Sequence, residues 1–292
     1  MTSNIQVVTH SDLDGVVSYL VLCWVYGKQL DVLPTTPKKL EQDWEKLSST
    51  KKFDKVYFLD LDVSCIGEKI DKSNTIIIDH HKTNLFSFQN AIVKICNETS
   101  CAKLIHEVLL KPSGKTITSA QKTLIALADD WDSHSNKTVL SQQLNIIYHS
   151  TFNKFQSFVE DYYNGFYPFD KFKTNTISLY FKHCKEYLNQ LTVYRGIVDF
   201  EGEKNVKVGA VFCDKFVQEC CDWLLSEYNV DVAIAVILKQ QRISVRRNNV
   251  NKTIDVSRFV QRIASGGGHE AAAGGNLTEE FMEFTKLLKQ IS

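Results

Sequence analysis

Short apolar runs alternate with stretches of helical spacing through the first 130 residues of this chain. Residues 5–9 are a short apolar run predicted as a strand, and residues 16–26 read as an apolar helix closed by Gly27. A second strand is predicted at 31–33. Residues 37–48 place Leu40, Trp44 and Leu47 on one helical face. Residues 55–59 (KVYFL) form a third strand, and 66–70 have room for a turn or two of helix. Ile76, Ile77 and Ile78 make a β-branched run suited to a strand buried on both faces. An edge strand is predicted at 91–95, and helices at 102–110 and 118–128, the latter running into Asp129, Asp130, Trp131 and Asp132. Thr99 and Ser100 read as helix caps.

The texture then changes twice. Residues 142–194 are mainly helical and aromatic, with Phe152, Phe155, Phe158, Tyr162, Tyr163 and Phe166 at helical spacing and a break at 165–168. Such a stripe reads as packing, a connector set between two domains. From Gly196 onward strands are predicted at 197–200, 206–212, 232–238 and 242–246, and helices at 216–228 and 256–264. A glycine-rich loop, Gly266-Gly267-Gly268-His269, follows. The expected class is α/β: a parallel-sheet domain over 1–150, a helical connector over 151–195, and a smaller mixed α/β domain over 196–292.

Three strands of the first eighty residues each end on polar groups: His10-Ser11-Asp12-Leu13-Asp14, Asp60 with Asp62, and Asp79-His80-His81-Lys82. Strand ends of a parallel sheet face the same way, so these ends converge where open α/β sheets bind ligands. His10, Asp12, Asp14, Asp60, Asp79, His80, His81 and Asp129 then form a pool that nearby bases do not neutralise. Converging carboxylates repel, and two divalent cations resolve the conflict. Mixed imidazole and carboxylate ligation without thiolate suits Mn, with Mg, Co or Zn as alternatives. Such a pair of ions points to phosphoester hydrolysis by metal-activated water, without a covalent enzyme intermediate. Lys82 would meet phosphate or offset local charge. His106, His134, His149 and His183 lack acidic company and read as structural or exposed.

Composition narrows the setting. Of 292 residues, 43% are hydrophobic and 23% charged, as in a folded soluble protein, and the formal net charge is zero. No whole-molecule basic field exists for duplex nucleic acid. Residues 239–262 carry a local excess, with Lys239, Arg242, Arg246, Arg247, Lys252, Arg258 and Arg262 against Asp255 alone, which could receive a small anion. Eight cysteines show no CxxC spacing, so neither a zinc ribbon nor a disulfide framework is expected. With no secretion signal and no long apolar run, no membrane partner is expected and the protein is expected in the cytoplasm.

The motifs HSDLDG (10–15), FLDLD (58–62), DHHKTN (79–84), ADDW (128–131) and GGGH (266–269) occur in the order of the DHH/DHHA1 phosphoesterases, which the chain resembles over nearly its whole length. The resemblance implies a DHH catalytic domain, a helical connector and a DHHA1 substrate-binding domain, with the active site in the cleft between. It implies that His10, Asp12 and Asp60 bind one ion, and that Asp14, Asp60, His80 and Asp129 bind the other. His81 would face the attacked phosphate or protonate the leaving oxygen, and Asp79 would orient an imidazole. Arg246, Arg247, Gly266, Gly267, Gly268 and His269 would hold the rest of the substrate. Asp60 and Asp62 both fit the second motif, and Asp60 is preferred because it ends the strand. Asp129 and Asp130 both fit the fourth, where the Asp-x-Trp spacing favours Asp129.

The N-terminal HSDLDGV and the DHHKT form resemble most the compact oligoribonuclease (nanoRNase) branch. That resemblance implies hydrolysis of short single-stranded RNA or DNA oligomers, or small nucleotides, to mononucleotides. The alternatives within the family are a 3′-phosphoadenosine 5′-phosphate phosphatase, a cyclic-dinucleotide phosphodiesterase and a RecJ-like single-strand exonuclease. A nucleotide-binding regulatory protein is the non-enzyme alternative. The oligomeric state stays open at this stage.

Overall fold

The computed structural model describes residues 4–81, 84, 86–132, 138–200, 202–248, 250 and 253–279. Lys82, His134 and the side chain of His269 lie outside the described set. Two compact units divide the chain, Met1–Ser178 and Leu179–Ser292.

The first unit is built on five parallel strands: β1 (Ile5–His10), β2 (Asp31–Thr35), β3 (Lys55–Leu59), β4 (Thr75–Asp79) and β5 (Ile92–Ile95). They lie in the order β2-β1-β3-β4-β5. Residues two apart on a strand share a face. Val7, Tyr57, Leu59 and Ile78 accordingly enter one core, and Val8, Val56, Phe58 and Ile77 the other. That two-sided burial explains the continuous apolar runs of β3 and β4. Pro34, which cannot donate to a ladder, sits on the edge strand β2.

On the first face pack α1 (Leu13–Tyr26), α4 (Cys101–Ile105, continued by a π turn over His106–Leu110), α5 (Ser119–Asp132), α6 (Val139–Ser150) and α7 (Lys154–Tyr162). Helix α1 is apolar almost all round and buried from Leu13 to Trp24, ending at Gly27 with φ 71°. On the other face, α2 (Leu40–Thr50) places Leu40 and Trp44 against Phe58, beside the short α3 (Gly67–Ile70). Phe155, Phe158 and Tyr162 join the core of this unit with Tyr19 and Tyr148. This part of the aromatic stripe is therefore core of the first unit, while Phe152 is exposed.

Helix α8 (Lys171–Leu188) runs across the division between the units. The second unit carries β6 (Tyr194–Phe200), β7 (Glu203–Phe212), α9 (Val217–Glu227), β8 (Val232–Ile237), β9 (Arg242–Arg247), α10 (Val256–Ile263), β10 (Ala264–His269) and β11 (Ala272–Leu277). Its sheet order is β10-β11-β9-β8-β7-β6, antiparallel except for β7 with β8. The glycine-rich segment expected as a loop is a strand of a hairpin. Its glycines fit that role because Gly266 lies opposite Gly275, and a Cβ on Gly266 would strike the backbone of Gly274 and Gly275. A segment without side chains carries no alternation, so periodicity could not reveal this strand.

Candidate metal centre

Strand order places the site. From β1 the chain moves to β2 on one side, while from β3 it moves to β4 on the other, so the direction reverses between β1 and β3. Ligands of open parallel sheets bind beyond the strand ends at such a point. His10 ends β1, Asp60 follows β3, and Asp79 ends β4 with His80 and His81 directly after it.

Local folding then aims each group. Asp12 is the N-cap of α1: its Oδ1 accepts from the Gly15 amide at 2.9 Å, while His10 Nδ1 lies 2.7 Å from its Oδ2. Gly15 is required there, because a Cβ would run into the carbonyl of His10. Asp14, in the first turn of α1, accepts from the amides of Cys101 at 2.7 Å and Ala102 at 3.1 Å. Those amides open α4, whose first turn favours a carboxylate. Tyr148 steadies the loop before α1 by donating to the Ser11 carbonyl at 2.9 Å. Asp60 adopts φ 56°, a left-handed conformation that non-glycine residues rarely take and that clusters at functional sites.

Among the described residues three overlapping groups result: His10, Asp12 and Asp60; Asp60, His80 and His81; and Asp14, His80 and Asp132. His80 Nε2 lies 3.2 Å from Asp60 Oδ1, 3.3 Å from Asp132 Oδ2 and 4.0 Å from Asp14 Oδ2. His10 Nδ1 is 3.7 Å from Asp60 Oδ2. Beside them, His81 Nδ1 meets Asp79 Oδ1 at 2.7 Å, and Asn84 donates to Asp79 Oδ2 at 3.2 Å.

Asp129, which the Asp-x-Trp spacing favours, belongs to none of these groups among the described residues. It accepts from the Ser100 amide at 2.9 Å and from Lys103 Nζ at 2.8 Å. Asp130 accepts from Thr138 and Ser141. Helix α5 continues through all the acids, and its last residue, Asp132, reaches His80 one turn beyond Asp129. Extending the predicted helix through Asp132 would have exposed this alternative. Asp62 is likewise turned away and accepts from the Ser64 amide at 2.9 Å, while Asp60 belongs to two of the three groups.

The electrostatics is that of crowded, buried carboxylates and imidazoles. Burial, then the charges of Asp14 and Asp60, push Asp132 up to about 9 despite His80. Burial raises Asp14 to about 6. Burial and the charges of Asp12 and Asp14 hold Asp60 well above the ordinary carboxyl range. Burial works against the charge of His10, but Asp12 and Asp60 outweigh it and raise the imidazole to about 10. The same contest holds Asp12 and Asp79 below the ordinary range, each beside its histidine, and raises His81. Both oxygens of Asp60, Nε2 of His80 and Oδ2 of Asp132 are buried without a hydrogen-bond partner. Orphaned buried polar atoms are costly. Their convergence from three elements fits divalent cations, hard ions that take oxygen and imidazole donors.

In the second unit, β9 carries Arg246 and Arg247 beside β11, and β10 carries Gly266, Gly267 and Gly268. Arg247 Nε donates to the Glu270 carbonyl at 3.3 Å, and Nε of Arg246 is buried without a hydrogen-bond partner.

A parallel sheet covered on both faces, with overlapping His–Asp groups at its switch point that could hold a metal ion, defines an α/β protein with a candidate metal site. Comparison with known proteins narrows this class. The model of the DHH family, N-terminal domain, matches residues 4–129, and that of the DHHA1 domain matches residues 204–292. The chain belongs to the DHH/DHHA1 family of phosphoesterases. None of the curated proteins matches it.

Among solved structures, the pGpG-specific phosphodiesterase PggH from Vibrio cholerae is similar at 15% identity and TM-score 0.60, covering 97% of each chain. An exopolyphosphatase-related protein from Bacteroides fragilis is similar at 17% identity and TM-score 0.52, covering 99% of this chain and 92% of the other. Exonuclease RecJ bound to manganese is similar at 14% identity and TM-score 0.54, with 98% and 88% covered. At these identities the likeness is one of fold.

Proposed function

We propose that this chain is a metal-dependent phosphodiesterase that hydrolyses short single-stranded oligonucleotides, down to dinucleotides, to mononucleotides. The observation that carries the reading is the buried, unpartnered donor set of Asp60, His80 and Asp132 beside His10 and Asp12. On this reading His10, Asp12 and Asp60 hold one divalent ion, Asp14, Asp60, His80 and Asp132 hold a second, and Mn is the preferred metal. Bound there, the ions supply Lewis acids for the phosphoryl oxygens and a water that deprotonates near neutral pH.

The chain's own residues do the rest. Asp79 accepts at His81 Nδ1, leaving Nε2 to face the substrate, and Asn84 fixes the Asp79 carboxylate. The raised His81 stays protonated further into the neutral range, so Nε2 can give a proton to the departing oxygen. Arg246, Arg247, the strand Gly266-Gly267-Gly268 and His269 are assigned to the remainder of the substrate, on the strength of the motif resemblance. Support for a very short substrate comes from the nanoRNase-like motifs and from PggH, a neighbour matched over 97% of its length and named for a dinucleotide. Eight free thiols suit a reducing cytoplasm, and among the described residues no helix is long and apolar enough to cross a membrane.

A substrate series in Mn tests the proposal: 5′-labelled di- to pentanucleotides, a long single strand, phosphoadenosine phosphate and a cyclic dinucleotide. Mononucleotides should appear fastest from the short linear oligomers. Preference for the long strand, the cyclic dinucleotide or phosphoadenosine phosphate would replace the proposed substrate by the corresponding alternative. No product from any of them would leave a nucleotide-binding protein.

A further inference from the structure

Among the described residues, the sheet of the second unit ends on an uncovered edge. Among them strand β6 pairs only with β7, and Tyr194 is 53%, Ile197 66% and Val198 46% exposed. Edge strands are usually blunted by charged side chains, lysine above all, by proline or by a bulge that twists them away. Tyr194–Phe200, reading YRGIVDF, has neither proline nor lysine. The register irregularity between β6 and β7 falls between Val198 and Phe200, and it puts the extra residue on β7, where Asn205 takes φ 58°. Strand β6 itself keeps a regular alternation, and no described segment hydrogen-bonds to its outer side.

The strand is complementary to itself. A two-fold axis through Ile197 sets Arg195 opposite Asp199, Gly196 opposite Val198, and Ile197 opposite its own copy. Directly opposed residues of an antiparallel pair share a face and touch. Each interface would thus contain the Arg195–Asp199 pair twice, once on each side of the axis. Gly196 offers room for the opposing Val198, since a Cβ there would meet nothing within 4 Å. Moving the axis to Gly196 or Val198 opposes Ile197 to Arg195 or to Asp199, so only one register joins the two charges.

We propose that β6 is the surface through which two copies of this chain associate, continuing the sheet across a two-fold axis. An extended segment of some other protein could hydrogen-bond to the same edge, but it would not account for the internal symmetry of charge and size.

Sedimentation velocity of the full chain over a range of concentrations tests this. The wild type should dimerise. Asp199→Arg, which opposes arginine to arginine, should weaken association about tenfold or more, and so should Arg195→Asp. The double variant Arg195→Asp/Asp199→Arg should recover it. Recovery matters because each single change also loses a contact within the chain: Asp199 accepts from the Asn205 amide at 3.4 Å, and Arg195 lies 5.4 Å from the Tyr228 ring. Circular dichroism on every variant separates loss of association from loss of fold, and Ile197→Pro, if folded, should be monomeric. A wild type that stays monomeric at every concentration overturns the proposal, as does a double variant no better associated than the single ones.

Discussion

Replacing Asp132 by asparagine separates the geometric assignment from the motif assignment. In the folded protein the Asp132 carboxyl is held at about 9 against an ordinary 3.8, by burial and by Asp14 and Asp60. A group raised in this way costs stability above its unfolded pKa, about 1.36 kcal/mol per pH unit, giving a ceiling of roughly 4 kcal/mol at pH 7. Asp14 and Asp60 share the repulsion, and part of the side chain meets solvent, so roughly 1–3 kcal/mol is the realistic share. The substituted amide carries no charge and has nearly the same shape. In EDTA, Asp132→Asn should therefore be as stable as wild type or more so, by urea or thermal unfolding at pH 7.

With Mn present the order should invert. The variant lacks a buried carboxylate 3.3 Å from His80 Nε2, so Mn should raise its melting temperature less. Its kcat/KM on a dinucleotide should fall by at least about 100-fold, the upper end of what loss of an outer partner costs. Asp129→Asn is the control. It weakens the acceptor of the Ser100 amide and the partly exposed ion pair with Lys103, a loss of about 1 kcal/mol, and should leave the Mn response intact. If Asp129→Asn abolishes turnover and Mn stabilisation while Asp132→Asn keeps both, the geometric assignment is wrong.

The same electrostatics fixes the pH dependence of the metal-free protein. Asp14 raised to about 6, Asp132 to about 9 and His10 to about 10 all retain protons in the folded state that the unfolded chain has lost. Stability in EDTA should accordingly decline from pH 5.5 to 8, by about 1.4 kcal/mol per pH unit for each proton retained. Saturating Mn should flatten or reverse the slope, and a metal-free stability that climbs with pH would contradict the carboxylate cluster. Asp79→Asn should lower kcat about 10- to 100-fold with a smaller effect on KM and Mn affinity, because Asp79 holds His81. Steady-state kinetics with a Mn titration checks this, and an effect confined to KM would count against a proton-transfer role for His81. Gly266→Ala should destabilise the second unit by about 1–3 kcal/mol, since the opposing backbone of Gly274 and Gly275 cannot yield as a side chain would. Urea unfolding measures it, and a neutral result would refute the close strand pairing.

Much of this was legible in the chain because burial imposes a pattern. The two-sided runs of β3 and β4 and the polar residues at their ends reflect a covered parallel sheet, and they led to His10, Asp12, Asp14, Asp60 and His80. What escaped depended on where a helix stops and on residues without side chains. Four consecutive polar and aromatic residues, 129–132, look like the end of a helix, yet each of the three acids meets a different set of groups. Asp129 serves the start of α4, Asp130 serves Thr138 and Ser141, and Asp132 serves the cluster. Only a third dimension distinguishes them.

Asp60 and Asp62 pose the same problem at shorter range, and backbone geometry decides it. An aspartate two residues further on finds its amide partner locally, at Ser64. Asp60 has no such partner for either oxygen and sits in a strained left-handed conformation. That combination costs free energy twice, in the backbone and in desolvation, and neither the sheet nor the core requires an acid there. A divalent cation held there would offset the desolvation cost in the folded state alone. Asp60, strained and buried, belongs to two of the three His–Asp groups, so metal affinity and fold stability should move together when it is changed.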